Sequence, residues 1–191
     1  MSFNKLISIH ISGIFLLVLL SNPIKAQQDA QVSQYMFNTM AYNPGYAGYA
    51  NLLNATILYR AQWVGLEGAP NTQTLTANSP LKNKKLAVGG SLFHDAIGPA
   101  QTVGLYGDFA YKILFPQSKL SFGIKAGFDV FTGSFTDLDI IDRNDPAFGQ
   151  NVTGKFLPNV GFGVYYYGEN FYVGLSTPKL ISNTIYDEVP G

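Results

Sequence analysis

From Leu120 to Phe131 every second residue is apolar: Leu120, Phe122, Ile124, Ala126, Phe128 and Val130 alternate with Ser121, Gly123, Lys125, Gly127 and Asp129. Successive side chains of a strand point to opposite faces, so the pattern predicts a strand with one apolar and one polar face. The same period recurs along the chain. Ala55, Ile57, Tyr59, Ala61 and Trp63 oppose Thr56, Leu58, Arg60 and Gln62 over 55–63, and Thr72, Thr74, Thr76 and Asn78 form the polar side of 72–78. Leu86, Val88 and Leu92 share a face over 85–95. Val103, Leu105, Phe109, Tyr111 and Ile113 oppose Thr102, Gly104, Tyr106, Asp108 and Lys112 over 101–113. Two more strands are predicted over 158–167 and 171–177.

Several of these segments reach about ten residues, the length a tilted strand needs to cross a bilayer. Soluble sandwiches alternate too, so period alone leaves a periplasmic β-sandwich open. Composition favours a barrel, and membrane fractionation is what decides between the two. Charged residues are 13% of the chain and aromatics 14%, against about 25% charged in ordinary soluble domains. A surface so poor in charge fits a wall that meets lipid. Lys plus Arg equals Asp plus Glu at 12 each, so no basic excess points to nucleic acid. The chain has no cysteine, which excludes disulfides, thiolate metal sites and Cys nucleophiles.

Met1 to Ala26 reads as a secretory leader, with Lys5 before the apolar run Ile11–Leu20 and a break at Asn22-Pro23. The run is short for a spanning helix, and no later stretch approaches that length. A membrane span beyond the leader must therefore be a barrel. The expected layout is a leader at 1–26, a periplasmic or plug segment at 27–53 and barrel strands at 54–191. The fold class is all-β, an antiparallel outer-membrane β-barrel.

The links 81–84, 114–119 and 168–170 read as short turns, and 64–71, 96–100 and 132–157 form the other set, which includes much the longest. Barrels have short periplasmic turns and longer outer loops, so the phase places the N-terminus in the periplasm and 132–157 outside. Tyr59, Trp63, Tyr111, Tyr165, Tyr166, Tyr167 and Tyr172 near strand ends are expected in interfacial girdles. Seven strands is odd for a bacterial barrel, and Asp187 to Gly191 is loop chemistry. The expectation is a truncated barrel, with assembly from several copies as the alternative.

The segment before the first strand reads Gln28-Asp29-Ala30-Gln31-Val32-Ser33-Gln34-Tyr35-Met36-Phe37-Asn38, then Tyr42-Asn43-Pro44-Gly45-Tyr46-Ala47-Gly48. It resembles the opening of the PorP/SprF family, outer-membrane proteins of the type IX secretion system and gliding machinery of Bacteroidetes. Ala30, Val32 and Gly45 depart mildly from that family's usual Pro, Phe and Ala. The resemblance continues in Tyr59-Arg60-x-Gln62-Trp63-x-Gly65-x-x-Gly68-Ala69-Pro70-x-Thr72 and in Asp95-x-Ile97-Gly98-Pro99, where His94 replaces the usual Asn. It returns in Gly174-Leu175-Ser176-x-Pro178. The resemblance implies a non-enzymatic role in which the barrel assists export or surface attachment of cargo proteins carrying a type IX C-terminal signal. Periplasmic components of the secretion machinery are the other implied partners. A transporter barrel for small solutes is the rival reading.

Candidate sites follow. Gln34, Tyr35, Met36, Phe37 and Asn38 either form a lid, packing Tyr35, Met36 and Phe37 against the barrel, or a docking surface for periplasmic partners. Asn43-Pro44-Gly45 is a turn signal expected only to steer the chain into the wall. Arg60, Gln62, Asp108, Lys112, Lys125 and Asp129 lie on polar faces and are expected to face the lumen, because charge exposed to lipid is costly. Asp137, Asp139, Asp142 and Asp145 offer oxygen ligands, but Ile140-Ile141 interrupts them and no Gly serves a calcium-loop turn, so a solvated loop is expected. His94-Asp95 sits on a strand where neighbours face opposite ways, which spoils a catalytic pair. The pair is expected to shape the Ile97-Gly98-Pro99 turn. No catalytic residue, cofactor or metal is expected.

Overall fold

The computed structural model describes residues 35–135 and 151–184. The expected leader, residues 27–34 and the acidic stretch from Asp137 to Asp145 lie outside them. Seven antiparallel strands follow in chain order: β1 (Asn54–Ala61), β2 (Asn71–Pro80), β3 (Leu86–Ile97), β4 (Ala100–Leu114), β5 (Ser118–Gly133), β6 (Val152–Gly168) and β7 (Tyr172–Thr177). Each is hydrogen-bonded to its neighbours in sequence, so the sheet is one meander. It curls into part of a barrel. This is the all-β antiparallel fold expected from the period. Among the described residues, no helix is long and apolar enough to cross a membrane.

Register turns the period into faces. On the convex side Ile57 lies opposite Leu75, Leu75 opposite Leu92, Leu92 opposite Leu105 and Leu105 opposite Phe128. This apolar row crosses five strands, and Ile57, Leu75, Leu92 and Leu105 are all exposed. Val103, Phe109, Ile113, Ile124, Val160 and Phe162 extend it above and below. A contiguous patch of this breadth is foreign to a soluble monomer, whose apolar patches rarely exceed a few hundred Å². It suits hydrocarbon. β3 to β6 run 12, 15, 16 and 17 residues, more than the 9–11 or so a bilayer needs.

The lipid reading sets an expected result at the middle of this row. Leu105→Arg should cost about 2–4 kcal/mol of unfolding free energy in a bilayer, the range for a cation on the lipid face near the midplane. A face turned to water would register within about 0.5 kcal/mol. Denaturant unfolding in phosphatidylcholine vesicles distinguishes the two.

The structure corrects three expectations. β6 begins at Val152, well before the expected Pro158, and the ladder with β5 runs from Ser118–Gly168 up to Gly133–Val152 past a bulge after Phe131. A cross-strand pair helps hold this extension: the rings of Phe128 and Phe156 lie 4.8 Å apart. Local period around Gly154 cannot register a partner on another strand. The outer link is thereby shortened to 134–151. The alternation of link lengths also fails at its third member. Ile97 pairs with Ala100, so β3 and β4 are joined by Gly98-Pro99 alone, the shortest link in the sheet. Gly98 takes a φ of +55°, which the first central position of such a two-residue hairpin requires. Finally, Tyr165 and Tyr167 are buried on the concave face and form no outer girdle. Tyr59, Trp63, Tyr111, Tyr166 and Tyr172 remain exposed.

Candidate functional site

The concave face is covered by the segment that precedes β1. Three short turns follow one another there, a 3-10 turn at Tyr35–Asn38, one helical turn at Thr39–Tyr42 and a second 3-10 turn at Pro44–Tyr46. A compact coil of this kind leaves most backbone groups without regular partners, and buried ones must be satisfied otherwise. The wall supplies them. Asn38 Oδ1 accepts from Thr76 Oγ1 at 2.8 Å. The Asn43 side chain donates to the Val164 carbonyl at 3.1 Å and accepts from the Gly45 amide at 2.8 Å. The Gly48 amide donates to Asn78 Oδ1 at 2.9 Å, while its carbonyl accepts from Lys112 Nζ.

Space for this segment comes from missing side chains. A Cβ on Gly123 would strike the backbone of Pro44 and Gly45, and one on Gly163 would strike Asn43 and Pro44. Glycine inside a strand marks such close approach of another backbone. Ala47, Ala87 and Ala110 close the interface as a small, fully buried cluster. Met40 is buried as well, and full burial of such a side chain is worth about 1.5–3 kcal/mol.

Two tiers of charge lie on the inner wall. Lys125 Nζ stands 3.2 Å from Asp108 Oδ1, both side chains almost wholly buried. Lys125 also donates to Ser91 Oγ at 3.2 Å and to the Met40 carbonyl at 3.4 Å, so it joins the wall to the inner segment. Farther along the lumen, Asp129 accepts from the Tyr106 hydroxyl at 2.7 Å and pairs with Lys179 at 2.8 Å. On the other side of Lys125 an aromatic group fills the space around Tyr165. Tyr46 and Tyr49 stack at 4.9 Å, and the Tyr165 ring meets them edge-on at 5.5 and 6.0 Å. Burial, then the neighbouring Tyr49, push the Tyr46 phenol above its usual value. It stays neutral at physiological pH.

Asp108, Lys112, Lys125 and Asp129, each read as lumen-facing, are buried on the concave side. Arg60 is half-buried on β1, and Gln62 follows that strand, its backbone N–H donating to the Pro70 carbonyl. The segment at 34–38 divides. Asn38 is buried, whereas Tyr35, Met36 and Phe37 are exposed, Tyr35 with its side chain hydrogen-bonded to Tyr172 of β7. Gln34 lies outside the described residues. Asn43-Pro44-Gly45 does more than steer the chain: all three are buried at the tightest contact with the wall. Asp95 accepts from Thr72 Oγ1 and ties β3 to β2, a correction to its expected part in the turn. Met40 and Ser91 escaped the sequence reading, and Ala47, Thr76, Asn78 and Asn159 were not singled out there as site residues. The signal that points to them is the run of glycines on polar faces, which leaves a hollow for something to fill. Among the described residues no cluster of His, Asp or Glu could hold a metal ion.

An antiparallel meander, apolar outside and lined inside by a folded segment and paired charges, defines a membrane β-barrel wall with an occupied lumen. The model of the family described as type IX secretion system membrane protein PorP/SprF matches residues 24–190. The chain belongs to that family and is a membrane component of type IX secretion. No curated protein and no solved structure matches it.

Proposed function

We propose that the chain is an outer-membrane accessory of type IX secretion and gliding that assists export or surface attachment of cargo bearing the type IX C-terminal signal. In this reading residues 27–53 are the plug. Its inner residues hold it to the wall, and Tyr35, Met36 and Phe37 dock a periplasmic component of the machinery. The observation that carries the reading is the split within one short segment. Asn38 and Met40 are sealed against the barrel, while the large side chains of Tyr35, Met36 and Phe37 just before them are exposed. Exposed aromatic and Met side chains on a firmly held base are the usual anchors of protein interfaces. A lumen filled by its own segment does not favour the solute-conduit alternative.

Replacing Tyr35, Met36 and Phe37 together with serine should leave the barrel in the outer-membrane fraction and lower cargo release about tenfold or more. Each interface anchor is commonly worth about 2 kcal/mol, and about 1.4 kcal/mol is a factor of ten. A photocrosslinker at position 37 should capture a periplasmic machinery protein in whole cells. Normal cargo release from the triple variant would end the docking reading, and recovery of the protein in soluble periplasm would end the outer-membrane one.

A further inference from the structure

After Thr177 the chain leaves the sheet, although β6 continues for ten residues beyond the partner of Thr177 at Phe162. Residues 178–183 turn inward and lie along the concave side of β6. They are held there in a way that resembles recognition of a peptide. Asn159, buried on the wall, reads the strap through its amide group. Its Oδ1 accepts from the Leu180 and Ile181 amides at 3.0 and 3.1 Å, and its Nδ2 donates to the Ile181 carbonyl at 3.0 Å. The Leu180 amide also donates to the Val160 carbonyl, and Asn183 Nδ2 donates to the Pro158 carbonyl.

One strap side chain enters a built pocket. Lys179 Nζ lies 2.8 Å from Asp129 Oδ2 and 5.5 Å from the centre of the Phe93 ring. The pocket is set by register: Phe93, Gly104 and Asp129 are direct cross-strand neighbours on β3, β4 and β5. Gly104 supplies the clearance, since a Cβ there would strike the Phe93 ring and meet Asp129 Oδ1 at 2.5 Å. Phe93 stacks on Tyr106 at 6.2 Å, and the Tyr106 hydroxyl fixes the other carboxylate oxygen. A held carboxylate beside an aromatic face is a receptor for an ammonium group. Asn159 is placed to take the backbone of the residues that follow it.

We propose that this luminal pocket is a binding site for an extended peptide in which a lysine precedes apolar residues, and that Lys179 and the strap occupy it in cis. A partner segment of the same chemistry enters when the strap lets go. The tethered lysine competes at the high effective concentration of a short linker, so the resident strap sets the threshold for entry. The inference is independent of the plug's docking role, because it concerns a different tier of the lumen and is read by direct binding.

The test uses the full chain in lipid nanodiscs and a fluorescein-labelled peptide of sequence Thr-Pro-Lys-Leu-Ile-Ser-Asn, the strap's own 177–183. The Lys179→Ala chain should bind it saturably, at least about tenfold more tightly than the unaltered chain, whose own lysine competes. Adding Asp129→Asn to that chain should weaken binding about tenfold or more, as loss of a buried charge partner does. Should Asp129→Asn misassemble, the same loss is expected on the Lys179→Ala chain from a probe carrying norleucine in place of lysine. Absence of saturable binding to Lys179→Ala, or equal binding of the lysine and norleucine probes, would overturn the proposal.

Discussion

A Gly123→Leu substitution is expected to unseat the segment that lines the lumen while the sheet remains assembled. The reason is geometric. A Cβ at this position already falls on the backbone of Pro44 and Gly45, and backbone held by Asn43 and Val164 cannot step aside as a side chain end does. Overpacking a fitted core costs about 1–3 kcal/mol even where side chains give way. The chain lacks cysteine, so one introduced at Ala47, fully buried beside Ala87 and Ala110, reports on the seat without background. Maleimide labelling of Ala47→Cys should be slow in the parent and about tenfold faster or more once Gly123→Leu is added, since about 1.4 kcal/mol is tenfold. Outward Gly107, on whose Cβ only the Ala126 carbonyl at 4.0 Å would press, is the control; Gly107→Leu should leave labelling unchanged. Equal labelling of all three chains would show that the inner segment is not held by this contact.

The second large effect is expected at the ion pair above that seat. Asp108 and Lys125 share a site that solvent scarcely reaches, and removing one partner strands the other. Lys125→Met should lower unfolding free energy by about 3–5 kcal/mol, the range for breaking a buried pair from one side. Lys125→Met with Asp108→Leu should recover most of it, because the uncompensated carboxylate is then gone. Both are measured by denaturant unfolding in the same detergent at pH 7. If the double variant is no more stable than the single one, the loss comes from packing or from the bonds to Ser91 and the Met40 carbonyl. The stranded charge would then not be its cause.

Both effects reside in the lumen, where the sequence was only partly legible. Strand placement and the two faces could be read directly, because a strand's period of two is local: Leu120, Phe122 and Ile124 declare an outward face whatever lies beside them. The inward set containing Asp108, Lys112, Lys125 and Asp129 followed from the same count. Pairing did not. The long β5–β6 ladder depends on partners such as Phe128 and Phe156, which stand 28 positions apart in the numbering yet touch across two strands. The Gly98-Pro99 hairpin was hidden for a related reason, as Ala96 and Ile97 look loop-like until β4 pairs with them.

Family membership was likewise carried by short runs such as Ser-Gln-Tyr-Met-Phe-Asn and Gln-Trp-x-Gly, and the family model spans 24–190. What those runs do in space was not written in them. Tyr35, Met36 and Phe37 stand out as apolar in the sequence but are exposed, while the modest Asn43, Pro44 and Gly45 make the tight seat.

The amino-acid sequence alone therefore determined that the chain forms amphipathic antiparallel strands with an apolar outside and a polar inside, because side-chain direction is set residue by residue. Only the tertiary structure decided what fills the inside. The glycine hollow, the Lys112 and Lys125 bonds to the inner segment, and the Lys179 strap in its Asp129 pocket all join residues far apart in the chain. Such contacts arise once curvature and register bring the strands round, and no local pattern encodes them.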